Sequence, residues 1–76
     1  MTMRETRKTW LGSKTCDLCH KPIMGILYDA SLPTHGHVWA TLCLLCATSN
    51  HVMLGTGKGQ KYRQEGDSGT FYKIAG

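Results

Sequence analysis

Two Cys-x-x-Cys pairs, Cys16/Cys19 and Cys43/Cys46, hold all four cysteines of this 76-residue chain, with 23 residues between them. Four thiolates in two chelating pairs are the donor set that a tetrahedral zinc ion prefers. No other feature constrains the fold as tightly, because a chain this short buries a thin core and usually needs a staple. A bound metal supplies about 10 kcal/mol of folding free energy in small zinc modules. Two disulfides are the rival staple, and four cysteines allow three pairings. The opening MTMRETRKTW carries charge with no apolar stretch after it, so no secretory signal is read there. The longest uncharged apolar stretch, residues 38–54, is interrupted by Thr41, Thr48, Ser49, Asn50 and His51 and is too short and polar to span a membrane. A reducing cytoplasm is therefore the expected compartment, and it favours one structural zinc over disulfides. A tetrahedral all-thiolate site also accepts iron.

The metal changes the charge. The formal net charge of +4 treats the cysteines as neutral. Four thiolates and one divalent ion add −2, so the loaded chain stands near +2. Residues 1–15 carry Arg4, Arg7, Lys8 and Lys14 against Glu5, a net +3. Residues 16–54 are near neutral, and residues 55–76 set Lys58, Lys61, Arg63 and Lys73 against Glu65 and Asp67, a net +2. Positive charge at both ends suits phosphate or an acidic protein, or serves solubility alone.

Residues 1–14 are polar and aperiodic and read as a flexible basic arm ahead of a single domain at 15–76. Cys16-Asp-Leu-Cys19-His-Lys-Pro22 is a compact turn whose N–H groups face the thiolates. Residues 23–28 and 37–41 suit strands, and the turn-rich 29–36 between them predicts a β-hairpin. Residues 42–54 lack Pro and Gly and stop at Gly55, which predicts a helix carrying the second pair at its start. Knuckle, hairpin, then helix is the order of a treble-clef zinc finger, a small α+β zinc-stabilised fold; a zinc ribbon is the alternative. Residues 60–63 and 70–74 predict a C-terminal β-hairpin.

Rival chemistries are weighed on their spacing. Cys16-Asp-Leu-Cys19-His20 matches the c-type haem pattern, but leaves Cys43 and Cys46 unexplained. His20 is expected to face solvent or donate a hydrogen bond beside the metal. Thioredoxin-like redox chemistry needs a βαβ context that this order of elements lacks. Treble clefs host the HNH nucleases, yet His35, His37 and His51 have no evident carboxylate to orient them, and Ala47 follows Cys46. The chain is thus read as non-enzymatic. Gly55-Thr-Gly-Lys-Gly59 departs from a Walker A loop, since Gly59 follows the lysine and the helix precedes the loop. Its N–H groups, with Lys58, Lys61 and Arg63, remain candidates for touching a nucleic-acid backbone. Among the aromatics, Trp39 is expected in the core, and of the adjacent Phe71 and Tyr72 one faces in and one out. An exposed Tyr72 or Tyr62 beside Lys61 and Arg63 is a candidate for stacking a base or anchoring a protein partner, and Trp10 for a binding patch or equally a cap on the knuckle.

Three stretches carry a resemblance: Cys16-Asp-Leu-Cys19-His-Lys-Pro-Ile23, Val38-Trp-Ala-Thr-Leu-Cys43-Leu-Leu-Cys46 and Leu54-Gly-Thr-Gly-Lys-Gly-Gln-Lys-Tyr62. Over most of residues 16–62 the chain resembles small four-cysteine zinc-finger proteins encoded by bacteriophages and prophages. The resemblance implies a phage context, a bacterial cytoplasm and one structural zinc, and it brings no catalytic residues. The reading that follows is a module that binds a host protein or complex. The alternative is direct DNA or RNA binding through Arg4, Arg7, Lys8, Trp10, Lys58, Lys61, Tyr62 and Arg63.

Overall fold

The computed structural model describes residues 8–66 and 69–76. Arg4 and Arg7 of the basic arm, and Asp67 and Ser68 of the last predicted turn, lie outside the described residues.

Alternation of side chains builds the first strand. β1 runs over Ile26–Leu32, with Tyr28, Ala30 and Leu32 buried on one face and Leu27 buried on the other. Composition predicts a strand that starts at Ile23 and a turn over 29–36. Asp29 and Ser31 suggest a turn by composition, but they alternate with Ala30 and Leu32, a period of two that keeps the chain extended. The reversal is shorter, a 3-10 turn at Pro33–His35 followed by Gly36 and His37 at φ 67° and 62°. β2 (Val38–Cys43) returns antiparallel to β1, with Leu32 opposite Val38 and Leu27 opposite Cys43.

The helix α1 occupies only Leu44–Ser49, not the 42–54 that the uncharged run predicts. Thr48, Ser49 and Asn50 offer their side chains to the backbone, which competes with helix propagation. Asn50 donates Nδ2–H to the Cys46 carbonyl at 2.8 Å. His51 then turns left-handed at φ 56°, its N–H reaching the Thr48 carbonyl at 3.2 Å, while the Val52 N–H reaches Ala47 at 3.2 Å. This pair of bonds is a Schellman ending, with His51 where glycine is commonest. Gly55, the expected cap, belongs to the next loop.

β3 (Gly59–Gln64) and β4 (Phe71–Ala75) form the expected terminal hairpin. Among the described residues, four strands make one antiparallel sheet in the order β2-β1-β3-β4. α1 packs against β1 and β2, on the face that carries Tyr28. The opposite face aligns Cys43, Leu27 and Tyr62 across β2, β1 and β3. Lys8, Thr9 and Trp10 run beside β4: Trp10 N–H donates to Phe71 at 2.9 Å, and Lys73 N–H to Lys8 at 2.8 Å. The Trp10 ring lies 5.4 Å from Tyr62, centroid to centroid, and packs against the buried core.

Phe71 is buried and Tyr72 half-buried on the other face, as adjacent strand residues must be. Trp39 departs from its expected place in the core and is 47% exposed. β2 is an edge strand, and its inward positions belong to Ala40 and Leu42, so Trp39 takes the other parity. Among the described residues, no helix is long and apolar enough to cross a membrane.

Candidate metal centre

The first cysteine pair is held by a tight backbone turn. Cys16 N–H donates to the Lys21 carbonyl at 3.0 Å, and His20 N–H returns to the Cys16 carbonyl at 2.9 Å. Thr15 bridges Pro22, and Ile23 N–H donates to Lys14 at 2.8 Å, closing the base of the knuckle. The turn requires a left-handed residue after Cys19, and His20 fills it at φ 63° with its side chain exposed. Histidine is among the few non-glycine residues found there with any frequency.

Asp17 brings the two pairs together. Its N–H donates to the Thr41 carbonyl at 2.8 Å, and its carboxylate Oδ2 accepts the Thr41 N–H at 2.8 Å. Thr41 lies two residues before Cys43 on β2, so this two-point clasp fixes the first knuckle against the strand that leads into the second pair. Ligand spacing does not mark Asp17 as part of the site. Its only signal was an acceptor placed between two cysteines. Cys43 ends β2 in extended conformation and Cys46 lies in the first turn of α1, so the strand-to-helix corner aims both sulfurs at the knuckle.

The four Sγ atoms lie within 4.8 Å of one another, and Cys19 and Cys43 are 3.9 Å apart. A tetrahedral zinc site with bonds of about 2.3 Å separates its sulfurs by about 3.8 Å. The cluster is therefore geometrically able to chelate one metal ion, and none of the four cysteines is in a disulfide. Cys16 is fully buried, Cys43 and Cys46 are half-buried, and Cys19 is exposed.

The electrostatics agree with the geometry. Burial raises the Cys16 pKa, but N–H groups of Cys19, Cys43 and Leu18 and the Cys19 thiol outweigh it and bring Cys16 down to about 6. Burial also raises Cys46, and contacts with the other three thiols and the charge on Cys16 push it further, to about 12. One thiol thus ionises readily and the last resists, because thiolates so close repel. A divalent cation at the centre removes that repulsion and favours all four thiolates.

Among the described residues, these thiols are the single grouping of His, Cys, Asp or Glu side chains able to hold a metal. The histidines of the nuclease pattern are dispersed. His37 Nδ1 meets Ser31 Oγ at 3.2 Å, His35 Nδ1 meets Thr34 Oγ1 at 2.9 Å, and His51 ends the helix.

The remaining candidates divide between surfaces. Tyr62 is 2% exposed, its ring on the Trp10 side of the sheet and its hydroxyl donating to Gln60 Oε1 at 3.0 Å. Burial raises its pKa, with a further push from Asp29. Burial likewise raises Asp29, partly offset by the charge of Lys8. Lys61 is half-buried and Arg63 exposed, both on the face that carries α1, and the Lys61 ammonium stands 5.7 Å from the centroid of the Tyr28 ring. Lys58 is exposed in the glycine loop. Three of that loop's N–H groups are used internally: Gly55 donates to Gly59, while Lys58 and Gly59 both donate to Gly55, at 2.9–3.0 Å. They are not an open cradle for phosphate.

Between Cys43 and Cys46, Leu44 and Leu45 are 49% and 75% exposed. Comparison with protein-family models, with curated proteins and with solved structures finds no match for this chain.

Proposed function

We propose that the chain is a non-catalytic treble-clef zinc finger that docks on another protein. In the phage setting its sequence resembles, that partner is a host complex that handles nucleic acid. The treble-clef reading is supported by the order knuckle, β1–β2 hairpin, α1, with Cys46 on a helix where a zinc ribbon would have a second hairpin turn. Zinc is supported by the all-thiolate donor set and the sulfur spacing.

The observation that carries the docking reading is an exposed apolar stretch on the second cysteine pair. Leu44 is 49% exposed and Leu45 75% on the corner that the metal holds, while Val38 and Trp39 are 60% and 47% exposed on opposite faces of the edge strand before it. Residues 38–50 contain no charged side chain. Apolar side chains fixed on a rigid corner, without charge among them, suit the centre of a protein interface better than a phosphate backbone. Zinc's role is structural: it locks the corner that presents Leu44 and Leu45.

Metal analysis of purified protein should give one zinc per chain, and Cys43→Ser should lose that metal and, with it, the helix α1 and much of the thermal stability. A tagged, zinc-loaded protein should then retain a stoichiometric protein from bacterial lysate after nuclease treatment. Leu45→Asp should lose that protein while keeping its zinc. Capture that vanishes with nuclease, or that survives Leu45→Asp unchanged, would refute docking through this corner.

A further inference from the structure

The sheet face that α1 covers over β1 and β2 continues across β3 and β4 with different chemistry. Register places its side chains. Arg63 stands opposite Ile26 on one side and Tyr72 on the other, and Thr9 bridges Tyr72, giving the transverse row Ile26, Arg63, Tyr72, Thr9. The next row is Tyr28, Lys61, Ala75. Tyr28 also lines a groove of about 240 Å³ with Ala47, Thr48, His51 and Val52, so α1 forms one wall of this surface.

Arg63 is exposed, while Lys61 and Tyr72 are half-buried. Neither row contains an acidic residue. Asp29 has the opposite parity on β1, and Glu65, whose N–H donates to the Thr70 carbonyl at 3.1 Å, follows Arg63 by two residues, outside these rows. The sequence offers Tyr72 and Tyr62 alike as neighbours of Lys61 and Arg63, and the register chooses between them. Tyr62, which sits between Lys61 and Arg63 in the chain, points to the other face, and Tyr72 arrives from β4 to take the place beside Arg63.

We propose that this half of the sheet binds single-stranded nucleic acid, with Arg63 and Lys61 on successive phosphates and the Tyr72 ring stacking a base. Alternate residues of a strand stand about 6.7 Å apart, a separation that neighbouring phosphates of an extended strand can meet. Adjacent strands lie about 4.8 Å apart, which sets a tyrosine ring within reach of the base attached to a phosphate on Arg63. Aromatic rings on an open sheet face, flanked by cations, read unstacked bases; a duplex keeps its bases stacked away from such a surface. An acidic peptide or an anionic membrane would use the two cations and leave Tyr72 without a role. The surface uses none of Val38, Trp39, Leu44 or Leu45, so it does not depend on the docking reading above.

The test is fluorescence anisotropy of the full, metal-loaded chain with labelled 12-nucleotide oligo-dT and oligo-rU strands. The matched duplex, poly-glutamate and phosphatidylserine-containing vesicles serve as competitors. Single strands should bind in preference to duplex, with a salt slope of about −1.4 for two phosphates. Arg63→Gln should flatten that slope by about 0.7. Tyr72→Leu should weaken binding about 5- to 150-fold at an unchanged slope, and Tyr72→Phe should bind as the parent does, which separates ring stacking from any role of the hydroxyl. Lys21→Glu, an exposed position on the first knuckle, should bind normally.

Zinc content and thermal unfolding of every variant identify any that fail to fold, and the charge variants then carry the test without Tyr72→Leu. Absence of binding at low salt, equal competition by poly-glutamate or vesicles, or a folded Tyr72→Leu that binds like the parent would overturn the proposal. A chain that holds no zinc yet binds with these variant effects would sink the zinc reading and leave this one standing.

Discussion

Asp17 and His20 carry the first knuckle in different ways. The Asp17 carboxylate accepts the Thr41 N–H and so ties the first cysteine pair to the strand bearing the second. Asp17→Ala leaves that N–H without its charged acceptor, which should cost about 1–2 kcal/mol. Metal affinity should fall with it, because the two chelating pairs lose their fixed separation. Thermal unfolding together with chelator competition measures both, and unchanged metal affinity would show the clasp to be dispensable. His20 adopts a left-handed conformation that suits glycine better. His20→Gly should therefore leave metal binding intact and raise stability by up to about 1 kcal/mol, the strain relieved exceeding the extra freedom of the unfolded chain. A lower unfolding temperature in His20→Gly would mean that the imidazole does more than fill the turn.

Among the elements, α1 depends most on its surroundings. Six residues are far below the length at which an isolated helix holds in water, so α1 exists through its packing on β1 and β2 and through the cysteines at its start. Removing the metal should melt α1 before the sheet. Far-ultraviolet circular dichroism should lose its helical component on chelation, and hydrogen exchange should rise first over residues 44–52. Simultaneous loss of protection in β3 and β4 would show that helix and sheet unfold as one unit. β3 has its own sensitive point at Gly59. A Cβ there would stand 2.5 Å from the Met53 carbonyl oxygen and 2.7 Å from the Ala30 Cβ. Both neighbours are fixed by the chain, so Gly59→Ala should cost about 1–3 kcal/mol, read as a lower denaturant midpoint at unchanged metal stoichiometry.

For the molecule as a whole, the thiol cluster couples folding, metal and pH. In the metal-free, reduced protein, Cys16 titrates at about 6 against an ordinary 9.0, so its contribution to stability is full above pH 9 and lost as pH falls through 6. Cys46 is displaced the other way, to about 12, so its contribution is present below pH 9 and lost as pH rises through 12. The thiols thus favour the metal-free fold most near pH 9. Metal binding displaces the Cys46 proton throughout this range, and below pH 6 it must displace the Cys16 proton as well. Metal affinity should accordingly rise with pH and fall most steeply below 6, as measured by competition with a chelator of known protonation. A pH-independent affinity would show that the four sulfurs do not all bind as thiolates.

The donor set, its two-pair spacing and the strand–strand–helix–hairpin order were legible in the residues themselves, because ligand identity and local patterning are properties of neighbours in the chain. The terminal hairpin was legible for the same reason, from two short runs of strand formers on either side of turn residues. Element lengths were less so. The end of α1 depends on a Schellman turn built on His51 and on Asn50 bonding back to Cys46, and the extent of β1 depends on Asp29 and Ser31 finding a sheet face that tolerates them. Only the tertiary structure decided which residues share a surface. Trp39 is exposed because β2 became an edge, Tyr62 is buried because Trp10 returns to pack on its face, and Tyr72 joins Arg63 because β4 pairs with β3 in that register. Strand pairing and parity determine such neighbourhoods, and they connect residues far apart in the chain whose side chains carry no mark of one another.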